Sequence, residues 1–106
     1  MGIDQQLIDE IVRRILSVTA PDRIILFGSA ATGQMTRDSD IDLLIVESSI
    51  PDRQAEYLRI RRSLKGVSFP FDILFITTQW FEESKNVIGG IAYPATKYGK
   101  VIYDAA

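Results

Sequence analysis

The stretch ILFGSAATGQMTRDSDIDLLIVE, residues 25–47, decides how this chain is read. It opens as an apolar strand, turns at Gly28-Ser29, crosses a polar loop, and resumes as a second apolar strand with Asp40 and Asp42 at alternate positions. Side chains along a strand point to opposite faces with a period of two, so both carboxylates share a face. At that spacing they stand about 6–7 Å apart and repel by roughly 2–3 kcal/mol at an effective dielectric of about 20. Asp is also disfavoured inside strands. A divalent cation bound by both acids would turn the repulsion into attraction. The structural alternative is that Asp38, Ser39 and Asp40 cap a turn and leave Asp42 near solvent at the start of the strand.

On either side, helical and strand patterns alternate. Residues 4–18 place Leu7, Ile8, Ile11, Val12, Ile15 and Leu16 on one helical stripe, with Asp4 as N-cap and Ile3 positioned to staple onto Ile8. RIILFG is the first strand and DIDLLIVE the second. In the second, Ile41, Leu43 and Ile45 oppose the acids, while Leu44 and Val46 carry the acid face into the core, as in a strand buried between layers. A helix follows Pro51 with a thin stripe of Ala55, Leu58 and Leu64, helped by Tyr57, and Gly66 is its natural stop. FPFDILFIT is a third strand, QWFEESKNVI a short helix ended by Gly89-Gly90, IAYPATKYG a further helical piece, and KVIYD a last strand. The pattern predicts an α/β fold, a sheet covered by helices.

The 106 residues, 46% hydrophobic, suit a single domain spanning 1–106. Twelve Lys and Arg against fourteen Asp and Glu produce no global basic field, so any polyanion must be met locally. The acidic N-terminus has no signal-peptide pattern and no run approaches the ~20 apolar residues that span a bilayer, so a cytoplasmic protein without membrane contact is expected. The absence of cysteine and histidine excludes disulfides, thiolate nucleophiles, Ser-His-Asp triads and Cys or His metal sites. What remains is oxygen chemistry with a hard cation such as Mg²⁺.

Two further features join the Asp pair. A small-residue turn after a strand, Gly28-Ser29, presents backbone N–H groups and a hydroxyl suited to phosphate oxygens, although most such turns are only turns. Asp72 begins another apolar strand; beside the second strand it would reach the same cation, and otherwise it would pair with an Arg or cap a turn.

The combination of Gly-Ser, ten residues, Asp-x-Asp and a later strand Asp resembles the DNA polymerase β-type nucleotidyltransferase superfamily, in particular its minimal nucleotidyltransferase (MNT) branch. The leading helix, ILFGS, SDIDLLIV, FDILF and ATKYGKVIYD fall in the expected order. The resemblance implies a polymerase β-like palm fold with a small mixed β-sheet. It also implies metal and catalytic roles for Asp40, Asp42 and Asp72, phosphate binding by Gly28 and Ser29, and Mg²⁺ with ATP as substrate. It implies a HEPN-domain toxin as partner, acting as acceptor of AMP in a toxin–antitoxin system, within a homo- or hetero-oligomer. One departure is that Ala30, Ala31 and Thr32 stand where the branch commonly carries basic side chains. Phosphate charge would then fall to the metal, backbone amides, and Arg37, Lys65 or Lys85; a catalytically weak antitoxin that acts by binding is the corresponding alternative. RIRRSLK reads as a solvated helix end, not a nucleic-acid surface. The phenylalanines and Trp80 read as mostly core, Tyr93, Tyr98 and Tyr103 as a possible partner surface, and Glu10, Glu47 and Glu82 as exposed.

Overall fold

The computed structural model describes residues 4–33, without the Ser29 side chain, and residues 39–105. The expectations for Ile3, Arg37 and Asp38 lie outside the described residues. Helix α1 runs over Gln5–Leu16, and Asp4 caps it by accepting a hydrogen bond from the Leu7 amide at 2.8 Å. Strand β1 (Arg23–Phe27) leads through Gly28 into a single helical turn, α2 (Ser29–Thr32). Strand β2 (Ile41–Glu47), helix α3 (Arg53–Ser63), strand β3 (Phe71–Thr77), helices α4 (Thr78–Ser84) and α5 (Ala92–Tyr98), and strand β4 (Lys100–Asp104) complete the order.

The four strands form one mixed sheet in the order β3-β2-β1-β4. β1 is antiparallel to both β2 and β4, whereas β2 and β3 run parallel, with α3 as the crossover. This is the small mixed helix-covered sheet that the sequence implied.

Alternation along β2 sets the two layers. Ile41, Leu43 and Ile45 pack with Ile11 and Ile15 of α1 and Ile60 of α3. Leu44 and Val46 point the other way, against Phe81 of α4 and Ala92 and Ala95 of α5. Among the described residues no helix is long and apolar enough to cross a membrane.

Several local readings change. The buried stripe of α3 is Glu56 and Ile60, continued by Leu64, while Leu58 is exposed. Trp80 is 59% exposed and is not core. α4 ends at Ser84, before the Gly89-Gly90 stop.

Glu47 is buried, not exposed. Burial is tolerated because the side chain joins a network. The Thr19 hydroxyl lies 2.7 Å from Glu47 Oε1 and 2.7 Å from Glu56 Oε2, and Arg59 donates to Glu56. A hydroxyl has one proton to donate, so the second of these contacts needs a protonated carboxyl. Burial, followed by the hydrogen-bonded Glu56 carboxyl, pushes the pKa of Glu47 up to about 7, while Glu56 is held down. The proton therefore resides on Glu47, and the charge on Glu56 faces Arg59.

Candidate active site

The open end of the sheet is built by three strand termini. In the parallel register Asp42 lies directly beside Asp72, and in the antiparallel one Asp42 lies opposite Phe27. Asp42 and Asp72 thus project from neighbouring strands on the α4/α5 face, at the edge where that layer stops. Asp40 precedes β2 and is not itself in a strand. Asp42 is half-buried, whereas Asp40 and Asp72 are exposed.

Gly28 completes this end. It adopts φ +69°, a left-handed conformation open to glycine at little cost. An ideal Cβ there would overlap Oδ2 of Asp42. The sequence suggested a glycine that lets phosphate approach; its first structural duty is to make room for the Asp42 carboxylate. The Gly28 carbonyl accepts from the amides of Ala31 and Thr32 at 3.1 and 3.3 Å, closing the single turn headed by Ser29.

The electrostatics carry the sign expected of a cation site. The pKa of Asp42 is raised, first by burial, then by the negative charges of Asp72 and Asp40. No hydrogen bond or ion pair to any of the three acids is found among the described residues. Nor do three carboxylates among them stand as a ready-made metal cage. The structure brings Asp42 and Asp72 together and leaves Asp40 acting on Asp42 through its charge. That arrangement fits Mg²⁺, which binds through one or two carboxylates and takes its other ligands from substrate phosphates and water. Of the cations named for phosphate, Lys85 is paired with Glu82 at 2.5 Å, and Lys65 follows α3 beside the start of β3, on the opposite face of the sheet from Asp42 and Asp72.

The mixed sheet thus carries an Asp pair on adjacent parallel strands beside a glycine turn. Residues 6–93 match the family described as nucleotidyltransferase domain, and the chain belongs to that family. A Methanocaldococcus jannaschii protein named as a candidate protein adenylyltransferase is 34% identical over 73 residues, which make up 61% of this chain and 73% of the relative.

Solved structures share the fold. A chain from a toxin–antitoxin complex with AMP-PNP superposes with a TM-score of 0.71 at 18% identity, covering 92% of this chain and 73% of the other. A chain from the complex of a tri-AMPylated Shewanella oneidensis HEPN toxin with its MNT antitoxin gives 0.63 at 17% identity, covering 95% and 73%. A candidate nucleotidyltransferase from Sulfolobus solfataricus gives 0.60 at 22%, covering 94% and 79%.

Proposed function

We propose that this chain, as a single minimal nucleotidyltransferase domain over residues 1–106, moves AMP from ATP onto a hydroxyl of a partner protein in the cytoplasm. The observation that carries the reading is the pairing of Asp42 with Asp72 in register, with no ion pair to either among the described residues and with Asp40 adding to the negative charge. Asp40, Asp42 and Asp72 would hold Mg²⁺, which when bound offsets the charge of the triphosphate. The Gly28-Ser29 turn would hold the phosphate tail with its amides and the Ser29 hydroxyl.

Asp72 would take the proton of the acceptor hydroxyl. The acceptor oxygen then bonds to the α-phosphorus, the bond from that phosphorus to the β-phosphate bridging oxygen breaks, and pyrophosphate leaves. Alignment and charge neutralisation supply the rate.

The fold neighbours include a HEPN toxin complex in which the toxin is AMPylated, which supports a HEPN-domain protein as acceptor and this chain as its antitoxin. The test is to incubate the purified chain with labelled ATP, Mg²⁺ and the product of the adjacent gene. Label on that product is expected; an unlabelled product would remove the reading.

A second reading, an antitoxin that neutralises by binding alone, is favoured by the lack of basic side chains at Ala30, Ala31 and Thr32. Asp42→Asn separates the two, because protection that survives the substitution belongs to a binder.

A further inference from the structure

A groove of about 340 Å³ lies on the α1/α3 face, beside the start of β3. Its floor is apolar, formed by Leu64, Phe69, Phe71 and Ile73, and its rim is Arg61, Arg62 and Lys65. No acid is among the described lining residues. In a chain of net charge −2 this is a local inversion of sign.

The rim is fixed at its base. Arg14 donates to the carbonyls of Ser63 and Lys65 at 3.0 and 2.8 Å, and Arg61 donates to the Phe71 carbonyl at 3.2 Å while lying over the Tyr57 ring. Arg62 and Lys65 are exposed, and neither has an ion pair among the described residues.

The groove and the acids lie on opposite faces of the sheet but at the same end, where β2 and β3 start. The Ile41 amide donates to the Pro70 carbonyl at 2.9 Å, tying the starts of β2 and β3 together, and the next residue along each strand is Asp42 or follows Phe71 as Asp72. An extended chain advances about 3.3 Å per residue, so a segment seated on Phe69 and Phe71 needs only a few residues to round the starts of β2 and β3 toward Asp72 on the other face.

We propose that this groove docks the acceptor protein through an acidic segment that places apolar side chains on the floor and carboxylates against Arg62 and Lys65. This deepens and rests on the function proposed above, since it says how this domain holds the acceptor whose hydroxyl is delivered to the Asp72 end of the sheet. A polypeptide is favoured over RNA because Phe69 and Phe71 are packed against the core and do not stand free as stacking platforms.

The test compares the parent chain with Arg62→Glu and with its neutral counterpart Arg62→Gln, all melting at the same temperature. For the adjacent gene product, KM in AMP transfer and Kd by calorimetry should rise about tenfold or more with charge reversal and less with neutralisation. kcat and the KM for ATP should hold. Unchanged KM and Kd with labelling intact would overturn the docking groove and leave the proposed function standing. If the parent binds the neighbour but never labels it, the function falls, and the groove stands only if charge reversal still weakens binding. No binding at all by the parent overturns the groove. So does an oligouridylate that binds the parent and is released by the charge reversal while the protein's Kd stays put.

Discussion

Strand β2 carries a carboxylate near each end, and the two are treated in opposite ways. Glu47 is buried, yet its charge is disposed of internally: a proton on Glu47, the Thr19 hydroxyl, and Arg59 facing Glu56. Asp42 is half-buried beside two further acids, and no cation pairs with it among the described residues. Crowded negative charge is relieved by a proton at one end and, among the described residues, left unpaired at the other, where only Asp42 is partly buried. A cluster of like charges costs stability, and this is the physical ground of the proposal that a cation is bound there.

Substitution of Asp42 by Asn should break the comparison most severely. AMP transfer is expected to fall at least about 10²–10³-fold, while the melting temperature is unchanged or rises because a repulsion is removed. Loss of transfer through unfolding, visible by circular dichroism, would contradict this.

Gly28→Ala comes next. The left-handed φ and the overlap with Asp42 Oδ2 should cost about 1–3 kcal/mol in chemical denaturation and displace the carboxylate. A displacement of that kind is expected to reduce transfer by about 10²-fold.

Glu47→Gln sharpens the other side. Because the folded pKa of Glu47, about 7, lies above the ordinary value of 4.5, folding takes up a proton between those limits. Native stability is therefore greatest relative to charge loss below about pH 4.5 and declines as pH rises through 7. The amide should flatten that decline and gain on the order of 1 kcal/mol at pH 8, read from urea unfolding at several pH values. A decline as steep as in the parent would place the proton elsewhere. Thr19→Val, which removes the relaying hydroxyl, should cost about 1 kcal/mol near pH 6, measured in the same way.

The contrast also separates what was legible in the sequence from what was not. Period-two alternation in residues 41–46 revealed a two-sided strand, and the helices around it followed from apolar spacing and caps such as Asp4. The Asp-x-Asp pair stood out because acids in an apolar strand are out of place. Glu47 did not, since a glutamate closing a strand looks solvated and its partners lie at Thr19 and Glu56, far away in the chain. The available signal was Glu56 four residues before Ile60, on the inward side of a helix whose supposed stripe included the outward Leu58. The single turn α2 is too short to show periodicity, and the crowding of Gly28 against Asp42 arises only once β1 and β2 pair.

The most direct measurement is a thermal melt of the parent chain and of Asp42→Asn with ATP plus Mg²⁺ and with ATP plus a chelator. If the acids of β2 and β3 await a divalent ion, Mg²⁺ with ATP raises the parent's Tm by several degrees, the chelator abolishes the gain, and Asp42→Asn shows none. Equal shifts in parent and variant, or a shift indifferent to the chelator, would contradict a metal-nucleotide site at Asp42.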